Sequence, residues 1–307
     1  MDTYDVIVIG GGPAGLQAAL TLGRVHRDVL VLDSGRYRND PADQMHNFLG
    51  HDGTSPAELR AAARKDLTEY ATVEVVETAA LDVASVGSSE APRFVVRTPD
   101  GEFAGRRLVL ATGLTDDLPP TPGLAELFGS VAAHCPYCHG HEYAGTPVGI
   151  LGAGPHVPRL ALLMERIASR LVVFADGAEV DAEARATFDA HGVEVLSGRV
   201  VSVERSGGGT RVVLDDGSGV EVGGLMVAPT FRQSAPFAEQ LGLGLQGSGC
   251  VAVDPFGRTS VPGVFAVGDM AHTDATPMPM TSVMTAAASG LVAAATLVGE
   301  LLDETGH

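Results

Sequence analysis

Two cysteines, Cys135 and Cys138, stand three positions apart in the run Cys-Pro-Tyr-Cys-His-Gly. Two thiols at this spacing can close a small disulfide that opens and closes in redox reactions. A zinc site is the alternative, but it needs two further soft ligands. The neighbouring His134, His139 and His141 are packed too closely along the chain to wrap one ion. The spacing therefore predicts dithiol/disulfide chemistry and no metal.

A glycine-rich turn near the N-terminus has the pattern of a dinucleotide-binding site. A β-branched apolar run at residues 4–9 predicts a strand, and helical spacing of small and apolar residues begins after the turn. Gly10 permits the tight turn, Gly12 lets the backbone approach a pyrophosphate, and Gly15 lets helix and strand pack closely. The helix N-terminus would then present amide donors to the phosphates.

The next predicted strand, residues 28–32, ends at Asp33. This acid lies 18 residues after Gly15, where a carboxylate accepts hydrogen bonds from a ribose. Strand, glycine turn, helix, strand and acid are thus all present in order. The full context predicts that this part of the chain binds a dinucleotide, and a redox cofactor bound there could exchange two electrons with a nearby disulfide.

A second unit of the same kind begins at the predicted strand 148–151 and is a degraded match. Gly152 and Gly154 keep the first two glycines, but the third position is Val157, followed by Pro158. A valine there would push helix and strand apart. A helix is predicted at 159–168 and a strand at 171–174. The pattern indicates poor binding of a nicotinamide dinucleotide, or a structural relic.

The bulk properties of the chain restrict its partners and location. It has 307 residues, a net charge of −18 and a mean hydropathy of +0.18. A chain this acidic is repelled by nucleic acid and by anionic membranes, so neither is expected as a partner. No secretory signal is recognised at the N-terminus, and a cytoplasmic location is expected. The apolar stretch 283–302 fits a buried helix better than a membrane span.

Further β-type segments complete the predicted organisation. They lie at 94–98, 107–110, 193–196, 200–204 and 211–214, with a hairpin tip at 206–209. The expected fold is α/β, with two Rossmann-like (three-layer ββα) nucleotide-binding domains, the second inserted into the first. Residues 1–117 and 245–307 would form the first domain, and residues 118–244 would form the inserted domain that carries the cysteine pair.

The motif set resembles the low-molecular-weight thioredoxin reductases, a family of flavoproteins. The resemblance covers nearly the whole chain. It rests on the glycine turn with Asp33, on Ala-Thr-Gly at 111–113, on the cysteine pair, and on the run from Thr259 to Asp269. Glutathione-reductase-type enzymes differ, because their cysteine pair lies near the N-terminus.

This resemblance implies FAD as cofactor and a homodimer. It also implies roles for particular residues. Cys138 would face the flavin, Cys135 would exchange with substrate, and His139 would stand where the reductases keep an acid/base Asp; His134 and His141 are weaker candidates for that proton role. The implied cofactor-binding residues are Gly10, Gly12, Pro13, Ala14, Gly15, Asp33, Ser34, Asn47, Ala111, Thr112, Gly113, Gly268, Asp269 and Ser282.

Two departures from the reductases concern the nicotinamide. Asp176 lies where NADPH-using members carry basic residues, and it would repel a 2′-phosphate by about 4 kcal/mol at 4 Å and an effective dielectric of about 20. Met280 and Ser282 lie where the reductases have an Arg-Gln pair. Met278, Met280 and Met284 fit either plain core or the roof of a pocket for a small apolar dithiol.

The cysteine run itself resembles a branch of the family that oxidises dithiols in natural products, the gliotoxin- and holomycin-type dithiol oxidases. This resemblance implies a small-molecule dithiol as substrate, O2 as electron acceptor and H2O2 as product, with no nicotinamide. The alternative is an NAD(P)H-dependent, thioredoxin reductase-like disulfide reductase. A flavin-bound redox sensor without catalysis is a third possibility. The isolated Cys250 is expected to be a small buried residue.

Overall fold

The structure is a computed structural model, and it describes residues 3–89, 91 and 93–304. The outermost residues of the predicted first domain, 1–2 and 305–307, therefore lie outside the described part of the chain. The strands are β1 (Thr3–Ile9), β2 (Val29–Leu32), β3 (Val73–Val76), β4 (Asp82–Ser85), β5 (Phe94–Thr98), β6 (Gly101–Leu110), β7 (Leu114–Asp117), β8 (Ala132–Ala133), β9 (Pro147–Leu151), β10 (Arg170–Phe174), β11 (Glu194–Leu196), β12 (Val200–Ser206), β13 (Gly209–Leu214), β14 (Gly219–Val222), β15 (Gly224–Met226), β16 (Thr230–Gln233), β17 (Val251–Ala252), β18 (Val264–Ala266) and β19 (Ala271–His272).

The helices include one long C-terminal helix and several short ones. They are α1 (Pro13–Gly23), α2 (Pro56–Leu67), α3 (Leu124–Leu127), α4 (Pro136–His139), α5 (Val157–Met164), α6 (Ala182–Ala190), α7 (Phe237–Gln240) and α8 (Val283–Glu304), with 3-10 turns at His141–Tyr143 and Gly268–Met270. The predicted strands and the hairpin tip between β12 and β13 are confirmed. The helix predicted at 159–168 is instead Val157–Met164, so it begins before and ends before the predicted bounds.

The chain divides into two compact units, which are described separately. Unit 1 contains residues 1–38, 57–115 and 231–307, and unit 2 contains residues 39–56 and 116–230. The division crosses at 115/116 and returns at 230/231, where the sequence analysis placed the crossings at 117/118 and 244/245. The division also assigns residues 39–56 to unit 2. We call these residues the 39–56 segment.

Unit 1 is built on a seven-stranded sheet. Its order is β3-β2-β1-β6-β5-β4, and β18 pairs with β6. The strands β1, β2, β3, β6 and β18 are parallel, and β4 and β5 extend the sheet as an antiparallel hairpin. Apolar side chains line both faces of this sheet, because its central strands are almost wholly Val, Ile and Leu. The carboxyl ends of β1 and β6 therefore meet at one edge, where the glycine turn leaves β1.

Helices α1 and α8 pack together against one face of this sheet. Residue 290 makes their close approach possible, because a Cβ on Gly290 would collide with the carbonyl oxygen of Ala14 in α1. Within the described residues, α8 is the one helix that is long and apolar enough to cross a membrane. The predicted burial is confirmed for one face, which includes Ala293, Leu297 and Leu301, whereas Leu291 is exposed.

Unit 2 has three layers. A parallel five-stranded sheet has the order β11-β10-β9-β15-β8, and a separate antiparallel sheet has the order β12-β13-β14. One apolar cluster joins α5 and α6 to the parallel sheet, and a second fills the space between the two sheets. Together with unit 1, this confirms the predicted α/β class with Rossmann-like parallel sheets.

The contact between α1 and α8 gives a first test, through the substitution Gly290→Ala. The added methyl group has no space against Ala14, so we expect a loss of about 1–3 kcal/mol in the free energy of unfolding. Gly299→Ala, on the same helix, is the matched control, since no atom lies within 4 Å of its Cβ position. There we expect a gain of about 0.5–1 kcal/mol from helix propensity. Denaturant unfolding of both variants measures this, and equal effects would contradict the close approach.

Candidate functional site

The two cysteines form a disulfide in unit 2. Cys135 is the residue before α4 and Cys138 lies within it, with their Cα atoms 5.3 Å apart. The amides of Cys138 and His139 donate to the carbonyl oxygen of Cys135 at 3.2 and 3.1 Å, which closes the turn. Both cysteines are half-buried, and Tyr137 between them is 65 % exposed. The pair is thus oxidised, and the tip of the loop that carries it faces solvent.

His139 follows the disulfide directly and is mostly buried. Burial is the main reason that its pKa lies below the usual 6.5, although a hydrogen bond to the backbone of Gly129 and the charge of Glu142 act in the opposite direction. In the neutral ring, one nitrogen is a donor and the other is an acceptor. His139 can take a proton at neutral pH.

In unit 1, the glycine turn after β1 forms a cradle of backbone atoms. Gly10 has a φ of 113° and packs against the carbonyl group of Ala111, so a side chain there would collide with it. A Cβ on Gly15 would strike the carbonyl oxygen of Gly10, whereas no atom lies within 4 Å of the Cβ position of Gly12. The turn is therefore closed against the sheet at Gly10 and Gly15 and open at Gly12.

Helix α1 begins at Pro13, directly after Gly12. Its N-terminus carries no side-chain cap and no acidic residue in the first turn. Gly268, with a φ of 75°, lies against this turn, since its Cβ position is 3.0 Å from the Cβ of Ala14. Uncapped amides beside an open glycine are suited to bind phosphate oxygens. The predicted residues Gly10, Gly12, Pro13, Ala14, Gly15, Ala111 and Gly268 are thus brought together.

Asp33 lies under this turn and is 2 % exposed. Its Oδ1 accepts from the amide of Gly35 at 3.0 Å, and its Oδ2 accepts from the Tyr37 hydroxyl at 2.6 Å and from the Arg64 guanidinium. Burial, followed by the hydrogen bond to Asp33, raises the pKa of Tyr37 to about 12. The hydroxyl therefore remains a donor. These three donors leave part of the acceptor capacity of the carboxylate for a ribose hydroxyl.

A cavity of about 680 Å³ opens beside Asp33. Ser34 and Arg64 contribute to its lining, and the Arg60 guanidinium lies 3.8 Å from the centre of the Tyr37 ring. The buried Nε of Arg64 has no hydrogen-bond partner in the structure. A cavity of this size with an aromatic ring, a donor and a carboxylate suits the nucleoside end of a dinucleotide.

The second acid of the predicted site, Asp269, pairs with a cation that the motif did not indicate. Arg38 Nη1 lies 2.9 Å from its Oδ2, and both side chains are largely buried. The backbone amide of Gly268 donates to the Ser289 hydroxyl at 2.9 Å. Cys250 is fully buried, as predicted, and its Sγ lies 3.8 Å from the carbonyl oxygen of Asp269.

The remaining predicted cofactor residues lie in different surroundings. The Thr112 hydroxyl contacts Met270 Sδ at 3.3 Å, and Gly113 has a φ of 69°. Ser282 accepts from the amide of Thr285 at 3.0 Å and so caps α8. Asn47 belongs to the 39–56 segment of unit 2. Their roles with a cofactor stay predictions.

The methionine stretch is not core. Met278, Met280 and Met284 are 46, 72 and 43 % exposed, which excludes that alternative and leaves the predicted pocket roof untested. Among the residues that the structure describes, no group of three or more His, Cys, Asp or Glu side chains is arranged to hold a metal ion.

The second glycine turn, in unit 2, differs from the first. Helix α5 begins at Val157, whereas the position that corresponds to the start of α1 is Pro155. Val157 is fully buried, and the ring of His156 lies over Gly154, with Cε1 2.9 Å from the Cβ position of that glycine. In this turn the amide of Val157 donates to the carbonyl oxygen of Gly154 at 2.9 Å, so one amide that could face a phosphate is already paired, and a side chain covers the open glycine.

Asp176 has a backbone donor as its partner, and an arginine side chain lies near the next residue. Its carboxylate accepts from the amide of Val200 at 2.8 Å, and Arg199 lies over the neighbouring Gly177. The expected repulsion of a 2′-phosphate by Asp176 stays a prediction. The altered helix start is the stronger argument against nicotinamide binding.

Sequence reasoning missed several residues that act on the predicted ones. Arg64 and Tyr37 donate hydrogen bonds to Asp33, and Arg38 donates to Asp269. No spacing rule connects Arg64 on α2 to Asp33. Glu142 lies three positions after His139, a helical spacing that could have indicated it.

Comparisons with known proteins agree with this geometry. Residues 4–290 match the model of the family described as pyridine nucleotide-disulphide oxidoreductase. Thioredoxin reductase aclD of Aspergillus oryzae is 38 % identical over 283 residues, 87 % of this chain and 88 % of the relative. Thioredoxin reductase tcpT of Claviceps purpurea is 36 % identical over 86 % of each chain. The crystal structure of HlmI superposes with a TM-score of 0.90 at 37 % identity, covering 99 % of this chain and 94 % of the other.

The buried carboxylate of Asp33 gives a second test, through the substitution Arg64→Met. Removing the cation leaves a buried charge with fewer partners, and we expect a loss of roughly 1–3 kcal/mol in the free energy of unfolding. Arg97→Met is the control, because Arg97 and Asp82 form an exposed pair at 3.5 Å. There we expect less than about 1 kcal/mol. Urea unfolding at neutral pH measures both, and a loss at Arg64 no larger than at Arg97 would argue against the cluster.

Proposed function

Because the chain belongs to the pyridine nucleotide-disulphide oxidoreductase family, in its thioredoxin reductase-like branch, we propose that it is an FAD-dependent dithiol oxidase. Its substrate would be a small-molecule dithiol of natural-product type, which leaves as an intramolecular disulfide. The overall reaction converts one dithiol and one O2 into one disulfide and one H2O2. The observation that carries this proposal is a phosphate cradle that is intact in unit 1 and altered in unit 2, in a chain with a half-buried disulfide.

The residues of unit 1 fit FAD. The first turn of α1, after Gly12, would hold the pyrophosphate, Asp33 would accept from the ribose of the adenosine, and Gly268 with Asp269 would hold the ribitol. FAD bound there would supply a two-electron acceptor for the enzyme dithiol, with O2 as the final oxidant.

The chain's own residues carry the exchange with substrate. His139 takes the proton of one substrate thiol, and the resulting thiolate attacks Sγ of Cys135. The Cys135–Cys138 bond breaks, a mixed disulfide forms between substrate and Cys135, and Cys138 leaves as a thiolate that is protonated from His139. The second substrate thiol, deprotonated in turn, attacks the substrate sulfur of the mixed disulfide, and Cys135 leaves as a thiolate. The substrate has then lost two electrons to the enzyme cysteines.

Two features of His139 support its role as the base. Its burial keeps the ring neutral near pH 7, because the pKa lies below its usual value. The neutral ring carries a lone pair on one nitrogen, which can accept the proton of a thiol. A base of this kind speeds the exchange because only the thiolate reacts.

A disulfide reductase that uses NAD(P)H is the alternative, and two observations favour it. The two curated relatives described above carry the name thioredoxin reductase, and Arg199 lies over Gly177, next to the position where the resemblance to the reductases puts the grip on a 2′-phosphate. Against it stand the late start of α5 and the ring of His156 over Gly154.

Anaerobic reduction distinguishes the two functions. We expect dithiothreitol to bleach the yellow colour of the purified protein and NADH or NADPH to leave it unchanged, because in the second cradle the amide of Val157 is paired with Gly154 and the ring of His156 covers that glycine. The measurement is the visible absorbance after mixing under nitrogen. Fast bleaching by either nicotinamide would favour the reductase.

On admission of air, an oxidase consumes O2 over many turnovers with dithiothreitol, whereas a redox sensor does not.

Substitution of the cysteines tests the proposed exchange. Cys135→Ser and Cys138→Ser should each lower dithiol-dependent O2 uptake by at least about 1000-fold, because neither variant can hold the disulfide. Cys250→Ala is the control, since this thiol is buried and takes no part in the exchange. It should retain most of the activity. Normal turnover in either serine variant would rule out the disulfide as the electron carrier.

A further inference from the structure

We propose that Tyr37 and Arg38 form a two-residue clasp that holds the two acids of unit 1 in place for the two ends of FAD, so that Arg38 is a positioning residue for the flavin end. The inference rests on the proposed function, in which Asp33 accepts from the ribose of the adenosine and Asp269 holds the ribitol. It assigns a role to an arginine that neither the cysteine motif nor the glycine turn includes.

Consecutive residues of one loop bind the two acids. The Tyr37 hydroxyl donates to Oδ2 of Asp33 at 2.6 Å, and Nη1 of Arg38 donates to Oδ2 of Asp269 at 2.9 Å. The side chains of Arg38 and Asp269 are only 14 and 21 % exposed. Truncation of the arginine would therefore leave a carboxylate without its cation in a largely buried place.

The two acids lie on opposite sides of the glycine turn. Asp33 follows β2 and Asp269 follows β18, and β1 and β6 run between these two strands in the same direction. Three inter-strand spacings, about 14 Å, separate β2 from β18. Arg38 and its loop therefore extend along the carboxyl edge of the sheet, where the turn after β1 presents the start of α1. A ligand that contacts both acids must follow the same edge.

Strand β16 supports the ion pair from one of its faces. Phe231 and Gln233 are two positions apart, so their side chains leave the strand on the same side. The Cζ atom of Arg38 lies 5.4 Å from the centre of the Phe231 ring. Nε2 of Gln233 donates to the carbonyl oxygen of Met270, the residue after Asp269, at 3.1 Å. One strand thus holds both the arginine and the turn that carries its acid.

The side-chain amide of Gln233 also points to a ligand. Its Oε1 is buried and has no hydrogen-bond partner in the described part of the chain. Native structures pair nearly all buried acceptors, so this atom calls for a donor that the protein itself does not supply. The ribitol of FAD carries hydroxyl groups, and a ribitol held by Asp269 would bring such donors to this place.

The ligand itself is anionic, which makes the cation important. The chain has a net charge of −18, and the pyrophosphate of FAD would add negative charge beside the start of α1. With Arg38 in place, Asp269 can accept from a ribitol hydroxyl without adding net charge to the site. The affinity for FAD therefore depends on the ion pair and not on the carboxylate alone.

The test is the dissociation of FAD from the purified full-length chain, with ADP as a competitor that has the adenosine end and no ribitol. The fluorescence of released FAD gives the Kd of FAD on dilution and the Ki of ADP in competition. Arg38→Met should raise the Kd of FAD by about 10- to 100-fold, because a charged hydrogen bond at the ribitol end is lost, and should leave the Ki of ADP within about twofold.

Two further variants show that Arg38 acts through its acid. Arg38→Lys keeps the cation and should weaken FAD less than Arg38→Met does. In a chain that already carries Asp269→Asn, the change Arg38→Met should have almost no further effect, because the partner of the arginine is already neutral. Tyr37→Phe should instead weaken FAD and ADP by the same factor, about 3- to 10-fold, because it acts on the acid at the adenosine end.

Arg106→Met is the matched control. Arg106 is a partly buried arginine of the same unit, and it lies 3.2 Å from Asp5, near the amino end of β1, and 2.7 Å from Glu304. Its loss should leave both constants unchanged. An unchanged Kd of FAD in Arg38→Met, an equal loss for FAD and ADP in that variant, or an undiminished effect in the Asp269→Asn chain would each overturn the inference.

If Arg38→Met does not fold, Arg38→Gln, which keeps a hydrogen-bond donor without the charge, decides by the same two constants. The unaltered chain separates this inference from the proposed function. A chain that shows these effects on FAD and yet consumes no O2 would refute the oxidase and leave the clasp in place. A chain that takes up no FAD would refute the cofactor on which both depend.

Discussion

The close approach of backbone to backbone at Gly10 and Gly15 is the constraint on which unit 1 depends. Helix α1 begins immediately after Gly12 only because no side chain separates Gly15 from the carbonyl oxygen of Gly10. The same helix approaches α8 because Gly290 admits the carbonyl oxygen of Ala14. These contacts set the position of the uncapped helix end, and with it the direction in which its amides point. The proposed cradle for phosphate is therefore a result of packing between a strand and two helices.

Unit 2 shows what happens when that constraint is broken. In unit 1, a side chain at position 15 would collide with the carbonyl oxygen of Gly10. A helix that began at Pro155 would bring the side chain of Val157 to the corresponding place in unit 2. It would also place the ring of Pro158 against the carbonyl group of residue 154. A start at Val157 avoids both problems, since the valine turns into the core and the proline falls in the first turn. The structure thus gives a physical reason for the degraded second motif.

The sequence predicted those parts of the molecule that are governed by local spacing. The strands, the glycine turns, the buried Cys250 and the pairing of Cys135 with Cys138 all follow from residues a few positions apart. The partners of the two acids in unit 1 could not be predicted in this way. Arg64 reaches Asp33 from a helix 31 positions along the chain, and Arg38 reaches Asp269 across 231 positions. Such pairs depend on how the sheet and helices pack, which periodicity does not encode.

The same distinction applies to His139, whose position can be predicted from local spacing and whose protonation state cannot. His139 is identified by its place beside a cysteine pair, because a thiol needs a base within reach. Its protonation depends chiefly on burial, which lowers the pKa of the imidazole below its usual value. Burial of this ring follows from how the chain packs around α4, and the spacing of the cysteine motif does not encode it. A buried histidine is neutral near pH 7 because desolvation disfavours the charged form, so the packing that surrounds the ring also prepares it to accept a proton.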